Sequence, residues 1–235
     1  MKKFKSFIAL DLKSNTQNIK VVKKLHSHVY GFKIGYRSFY NNNCNELITE
    51  IKKRKCKLFI DLKLHDIPNT VSAAIESLSK INPDFLTLHI SGGNEMIKAA
   101  VKCVKKNKLK TKILGVTLLT SLDKKDSKRI FKEKNTKNLV KKFAEIADKV
   151  NIHGLICSGE ELTALGKFKK LIKITPGVKL FNRSDDQKRV TFAHKALENG
   201  ANFVVIGREL IESKEPLNLL KKYAEQHKNK NLWTK

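Results

Sequence analysis

The chain has 235 residues, of which 40% are hydrophobic and 30% are charged. These proportions are close to globular averages and exclude collagen-like, low-complexity and wholly disordered chains. The longest purely apolar runs are four or five residues, far short of the roughly 20 that cross a bilayer. The basic N-terminus resembles the start of an export signal, but Asp11 interrupts its apolar stretch too early. We expect a soluble, cytoplasmic protein with no membrane partner.

Positive charge dominates the composition. Lysine and arginine number 49 against 22 acidic residues, which leaves a net charge of +27. A chain this basic attracts polyanions, so a nucleic-acid-binding protein is the main hypothesis from outside the enzymes. However, the lysines are spread from end to end, only six of the basic residues are arginines, and aromatic residues make up only 7%. Nucleic-acid readers favour arginine forks and aromatic platforms, so we expect solvated lysine-rich faces and no specific nucleic acid partner.

The four cysteines give no sign of a metal site or a disulfide framework. Cys44, Cys56, Cys103 and Cys157 are widely separated, and no CxxC pair occurs. Most of them fall in apolar stretches, where cysteine acts as a small hydrophobe. We expect a reducing compartment and no bound metal.

Short β-rich segments recur along the chain, and polar loops and helical periodicity separate them. The predicted strands lie at 6–11, 30–34, 57–62, 85–89, 113–118, 153–157, 171–175 and 202–206. Apolar residues return every three or four positions in the clearest predicted helices, at 45–54, 69–80, 94–106, 137–148 and 187–199. The polar stretch 121–136 predicts a long loop with a short helix.

This alternation predicts an α/β fold with a parallel sheet covered by helices. Eight strand–helix units in a chain close to the roughly 250 residues of a typical (β/α)8 barrel favour that closed TIM barrel. An open doubly wound sheet more often has five or six strands, and no GxGxxG follows the first strand. No linker divides the chain, so we predict a single barrel domain over residues 1–235.

Charged residues gather where the first three predicted strands end. Side-chain alternation places Asp61 and Lys63 on one face of the third strand, with Asp66 just beyond it. Asp11 ends the first strand, and Lys33 lies in the second. One interpretation is a structural salt-bridged cluster at the barrel mouth. The other is an active site, since a barrel carries its chemistry at the carboxyl ends of its strands.

Alternating charges in such an array favour the protonated form of both lysines. Each close pair is worth about 4 kcal/mol at an effective dielectric near 20. A lysine that forms a Schiff base must instead be neutral to attack. The pattern therefore fits a proton donor better than a nucleophile.

The ends of the last two strands predict an anion site. TPGVK follows the seventh strand and IGRE the eighth, which places Gly177, Gly207 and Arg208 in the loops that usually hold phosphate in these barrels. The alternative is an ordinary turn.

Motifs along nearly the whole chain resemble orotidine 5'-phosphate decarboxylases of the bacterial type. They are ALD at 9–11, KIG at 33–35, DLKLHDIPNT at 61–70, HISGG at 89–93, VTLLTS at 116–121, TPGV at 175–178, DQ at 186–187 and VIGR at 205–208. A bare DxKxxD is shared with related sugar-phosphate decarboxylases and aldolases, whereas DxKxHDIPNT is much narrower.

The resemblance implies a homodimeric barrel that converts orotidine 5'-monophosphate to uridine 5'-monophosphate and carbon dioxide without a cofactor. It implies that Lys63 donates a proton to C6, that Asp61 lies beside the leaving carboxylate, and that Asp11 and Lys33 hold the ribose hydroxyls. Across the dimer interface, Asp66 and Thr70 would serve the partner subunit's site. Further substrate contacts would come from Thr120, Lys179, Gln187, Gly207 and Arg208.

Two positions depart from the family pattern. Lys179 stands where an arginine is usual, and a lysine cannot form the same two-pronged phosphate contact, so Arg183 is a candidate substitute. Arg37 stands where glutamate is frequent. His65 and His89, near the predicted site, are expected to shape loops. Within enzymes, a metal-dependent sugar-phosphate decarboxylase is the alternative.

Overall fold

A computed structural model describes residues 2–181, 191–228 and 230–234. Its eight strands follow one another in chain order around a closed barrel, and neighbouring strands pair in parallel. The strands are β1 (Phe4–Ala9), β2 (Val29–Gly35), β3 (Lys57–Leu64), β4 (Phe85–His89), β5 (Lys112–Val116), β6 (Gly154–Ile156), β7 (Ile172–Thr175) and β8 (Phe203–Ile206). The predicted (β/α)8 TIM barrel is confirmed.

Helices separate the strands along the chain. In the described ranges they are α1 (Asn15–Leu25), α2 (Tyr36–Phe39), α3 (Cys44–Lys53), α4 (Pro68–Ser77), α5 (Gly93–Lys106), α6 (Lys124–Phe131), α7 (Thr136–Lys149), α8 (Ala193–Glu198), α9 (Arg208–Ile211) and α10 (Pro216–Gln226). Several begin at a residue whose side chain accepts from the first-turn amides. Ser14, Asp123 and Asn135 do this for α1, α6 and α7. None of the helices described has the length and apolar character needed to cross a membrane.

The contacts divide the chain into two compact units. The first comprises Met1–Asp61 and Thr175–Lys235. Within it β1 pairs with both β2 and β8, and β2 pairs with β3 as far as Asp61. The ring of Phe7 packs edge-on against Phe59 and Phe203, with centroids 5.4 and 5.7 Å apart. Gly31 is required in β2, because a Cβ there would collide with the carbonyl oxygen of Lys57.

The second unit is Leu62–Ile174. It contains β4, β5, β6 and most of β7, paired in that order, with Thr87 of β4 opposite Leu114 of β5. Helix α4 packs on α5, where the Cys103 thiol donates to the carbonyl oxygen of Ser72 over 3.4 Å. The buried faces of these helices supply the apolar cover that their periodicity predicts.

The predicted elements agree in kind and differ at their ends. Strand β1 ends at Ala9 and β5 at Val116, two residues earlier than predicted. The amides of Leu10 and Thr117, just beyond them, still donate to the neighbouring strands. Strand β3 continues to Leu64 instead of ending at residue 62. The short helix expected in 121–136 is α6. The predicted helix 187–199 is seen as α8, and its residues 187–190 lie outside the described ranges.

Candidate active site

Three charged side chains form an ion-pair triad in the first unit. Lys33 Nζ, on β2, lies 3.4 Å from Asp61 Oδ2 on β3 and 3.8 Å from Asp11 Oδ1, two residues beyond β1. The side chains of Lys33 and Asp61 are each only 11% exposed, whereas that of Asp11 is 44% exposed. A half-buried carboxylate thus remains open to solvent on one side of a buried ion pair. Three of the predicted array residues are therefore brought together.

The backbone beside the triad is shaped to admit the lysine. A Cβ on Gly35 would lie 3.0 Å from Lys33 Nζ and 3.5 Å from Asp11 Oδ1, so a side chain there would press on the ammonium. Tyr36 follows at the start of α2, and its pKa is raised first by burial, then by Tyr40 and by the charge of Asp61. Arg37 donates to the backbone carbonyl oxygen of Asp11 over 3.2 Å.

A buried polar network holds both neighbours of Asp11. Asn18 Oδ1 accepts from the backbone N–H of Leu12 at 3.3 Å, and the Ser38 hydroxyl donates to the carbonyl oxygen of Leu10. Asn18 Nδ2 joins the two by donating to Ser38 Oγ at 2.9 Å and to Asn15 Oδ1 at 3.2 Å. Asn15, Asn18 and Ser38 are at most 2% exposed. Because buried amides are costly unless hydrogen-bonded, this network defines one path for the chain through Asp11.

Lys63 has an unusual backbone in β3. Its φ is 45°, in the left-handed region that side-chain-bearing residues rarely adopt. The expected alternation that would put Asp61 and Lys63 on one face therefore does not run regularly through Lys63, because it requires an extended backbone. The amide N–H of Lys63 donates instead to Thr87 Oγ1 of β4, at 2.9 Å. Lys63 is half-buried, and Thr87 is completely buried.

The other predicted residues of the second unit are exposed on the single chain. Asp66 follows β3, and its Oδ1 accepts from the N–H of Ile67 at 2.7 Å. Ile67 is 66% exposed although it is a large apolar residue. Thr70 lies in the first turn of α4, which Pro68 begins, and Thr120 lies in the loop after β5.

The predicted anion-binding loops lie in the first unit. Gly177, after β7, has a φ of 70°, which explains the glycine. Lys179 is half-buried, and its backbone joins Phe192 in an isolated parallel bridge. After β8, Gly207 precedes the exposed Arg208, the first residue of α9. Gln187 and Arg183 lie outside the described residues.

Glu209 ties these two loops together. Its carboxylate accepts from the backbone N–H of Leu180 at 2.7 Å and from that of Phe181 at 3.1 Å. The carboxylate thus fixes the loop after β7 against the start of α9, beside Arg208. A glutamate so close to a predicted phosphate site cannot be a phosphate ligand itself, and its contacts are those of a brace.

Sequence reasoning did not identify Thr87, Asn18, Ser38 or Glu209. The IGRE motif contains Glu209, and its position beside Arg208 was a usable signal. Asn18 carries no such signal in the sequence, and only the structure shows it on the buried face of α1. The predicted loop histidines lie together in the second unit, with the rings of His65 and His89 5.3 Å apart.

Comparison with known proteins gives consistent results. The sequence model of the orotidine 5'-phosphate decarboxylase / HUMPS family matches residues 5–223. Orotidine 5'-phosphate decarboxylase of Erythrobacter litoralis is 37% identical over 212 residues, covering 89% of this chain and 93% of that protein. The enzyme of Aquifex aeolicus is 38% identical, covering 87% and 90%. A crystal structure of the Lactobacillus acidophilus enzyme has a TM-score of 0.79 at 28% identity, covering 95% of this chain and 99% of the other.

Proposed function

The chain belongs to the orotidine 5'-phosphate decarboxylase / HUMPS family, and we propose that Lys63 and the Asp11–Lys33–Asp61 triad carry out its reaction. That reaction is the decarboxylation of orotidine 5'-monophosphate to uridine 5'-monophosphate in pyrimidine biosynthesis. The observation that carries the proposal is a buried carboxylate–ammonium pair, Asp61 on β3 and Lys33 on β2. Asp11 is the second ion-pair partner of Lys33, and Lys63 lies on the same strand as Asp61.

The chemistry requires a fixed positive charge and a proton. When carbon dioxide leaves, the electron pair of the broken bond stays in an in-plane orbital at C6 that the pyrimidine ring cannot delocalise. A preorganised cation beside that carbon stabilises the developing charge without reorganisation. In the proposal, the Lys63 ammonium supplies this charge and then transfers its proton to C6.

The triad would contact the leaving carboxylate and the ribose of the substrate. Asp61 would lie beside the leaving carboxylate, where like charge raises the energy of the bound substrate relative to the transition state. Lys33 neutralises part of that charge, since its Nζ is 3.4 Å from Asp61. The open side of Asp11 would accept from the ribose hydroxyls, with Lys33 as the second ribose contact.

The phosphate would bind far from the reacting carbon. We assign it to Arg208, the Gly207 backbone and Gln187, with Lys179 or Arg183 in place of the family's usual arginine. Thr120 would contact the substrate from the loop after β5. Binding energy at the phosphate becomes rate when it orders loops and positions the ring.

We propose a homodimer in which Asp66 and Thr70 reach the partner subunit's site. The support is their exposure on the single chain, together with that of Ile67, which is 66% exposed between them. A partner subunit bound at this place would cover the Ile67 side chain. We further propose a single barrel domain that works in the cytoplasm without metal or organic cofactor.

Decarboxylation of orotidine 5'-monophosphate, followed by its absorbance, tests the function. Lys63→Ala should reduce kcat by at least about a thousandfold, because the proton donor and the cation are both lost. Lys55→Ala is the matched control. Lys55 is another lysine with a positive φ, 53°, but it is exposed and lies two residues before β3 begins. It should share any folding effect of the substitution and keep full turnover. Near-normal turnover of Lys63→Ala would remove Lys63 from its proposed role.

Two alternative functions predict different results in these assays. A metal-dependent sugar-phosphate decarboxylase would lose activity in excess chelator, whereas the proposed enzyme keeps full activity there. A nucleic-acid-binding protein driven by the net charge of +27 would bind polyanions and leave orotidine 5'-monophosphate unchanged. An active relative run alongside makes a negative result meaningful.

A further inference from the structure

Thr87 accepts a hydrogen bond from the backbone of Lys63, a residue with a positive φ. Lys63 is one of a small set of non-glycine residues with a positive φ among those described, and it lies inside a strand. Its N–H donates to a side chain of the neighbouring strand. The Thr87 hydroxyl, 24 residues away on β4, accepts this N–H at 2.9 Å and is itself fully buried.

We infer that Thr87 is a positioning residue for the decarboxylation, holding Lys63 in the left-handed backbone conformation that aims its ammonium. The inference rests on the proposed role of Lys63 as proton donor. Thr87 acts through the Lys63 backbone and is assigned no contact with the substrate.

The physical reason is the direction of the Cα–Cβ bond. A change from left-handed to extended backbone rotates that bond and carries the Nζ atom, at the end of a long side chain, to a different place. The left-handed conformation is unfavourable for a lysine, so something must favour it. Without the hydroxyl, this hydrogen bond is lost and the backbone at Lys63 can relax. The ammonium is then held less well.

The neighbouring strand makes Thr87 a rigid support. Thr87 lies in the middle of β4, opposite Leu114 of β5, and the flanking Leu86 and Leu88 are each 1% exposed. The position of the Thr87 hydroxyl is therefore fixed by the packing of β4. A misplacement of about 1 Å at a reacting group costs on the order of a hundredfold in rate, so a small relaxation at Lys63 is enough to be measured.

The test compares Thr87→Val with Thr87→Ser. Valine keeps the shape and removes the hydroxyl, and serine keeps the hydroxyl. We expect Thr87→Val to lower kcat by about 100-fold, with KM and the dissociation constant of uridine 5'-monophosphate changed less than about threefold. Thr87→Ser should keep kcat within about tenfold of the wild type, because the acceptor for the Lys63 N–H remains.

The matched control is Thr111→Val. Thr111 is also a buried threonine, 2% exposed, and its hydroxyl donates to the carbonyl oxygen of Pro83 at 2.7 Å. It precedes β5, at the opposite end from the predicted site, so its loss should lower stability and leave kcat within about twofold. A second readout isolates the proton step: exchange of the C6 hydrogen of uridine 5'-monophosphate in D2O, followed by NMR, should slow in Thr87→Val as kcat does.

The outcomes separate the two claims. A wild-type protein that does not decarboxylate orotidine 5'-monophosphate overturns the proposed function. An active wild type with full kcat and exchange in Thr87→Val overturns the positioning role, as does an equal loss in Thr111→Val or no recovery in Thr87→Ser. If Thr87→Val does not fold, a crystal structure of the wild type decides: an extended Lys63, or a Thr87 hydroxyl away from the Lys63 N–H, refutes the inference.

Discussion

The buried polar network that holds both neighbours of Asp11 should contribute to stability and to substrate binding. Asn18→Ala removes three hydrogen bonds, to Asn15, to Ser38 and from the Leu12 N–H. Asn18 is completely buried, so water cannot easily replace them. Each bond is worth about 1 kcal/mol net, and a buried partner left unsatisfied costs about 1 to 3 kcal/mol. Allowing for partial relaxation, we expect unfolding to become easier by about 2 to 4 kcal/mol.

Urea denaturation measures this directly. With a slope of about 2 to 3 kcal/mol per molar urea, the midpoint should fall by about 1 M. Asn41→Ala is the control, because the Asn41 side-chain amide donates to the backbone carbonyl oxygen of Lys13 through a hydrogen bond that is exposed to solvent. It should shift the midpoint by less than about 0.3 M. Equal shifts for Asn18→Ala and Asn41→Ala would refute the account of the buried network.

The same substitution should weaken substrate binding, because the network holds the residues on both sides of Asp11. We expect the KM for orotidine 5'-monophosphate to rise by about tenfold while kcat falls less, since Asp11 is proposed to bind the ribose rather than the reacting carbon. An unchanged KM in a clearly destabilised Asn18→Ala would show that the network supports the fold without positioning Asp11.

Two further predictions concern pH and the phosphate loops. Burial, and secondarily Lys112, lowers the pKa of His153, whose Nδ1 accepts from the Ile113 N–H at 3.1 Å. The unfolded chain therefore binds this proton more readily, so stability is full above the ordinary histidine pKa and is lost as pH falls below about 6.5. His153→Asn should remove up to about 1 kcal/mol of the fall in the free energy of unfolding between pH 8 and pH 5.5, measured by urea denaturation, and an unchanged fall would contradict this. Glu209→Ala should free the Leu180 amide and raise the KM about fivefold at nearly unchanged kcat, with the exposed Glu212→Ala as control; a KM equal to that of the control would show that the brace is dispensable.

The fold and most of the charged residues could be predicted from the sequence. Apolar strands of about five residues alternate with amphipathic helices, and this periodicity is a local property that a sequence displays directly. Polar residues at strand ends were predicted to meet because parallel strands in a barrel share one end. The Lys33 pairs with Asp61 and Asp11 agree with that expectation. The resemblance in DLKLHDIPNT then narrowed the chemistry to one family.

Only the tertiary structure decided how those residues are held. The left-handed Lys63 and its bond to Thr87, the Asn18–Ser38 network and the Glu209 brace all join residues far apart in the chain. The residues next to Lys63 do not predict its positive φ, because the conformation of a single strand residue depends on the contacts made around it in the folded chain. Hydrogen bonding of this kind depends on the register between strands and on depth of burial, and both exist only once the chain has folded.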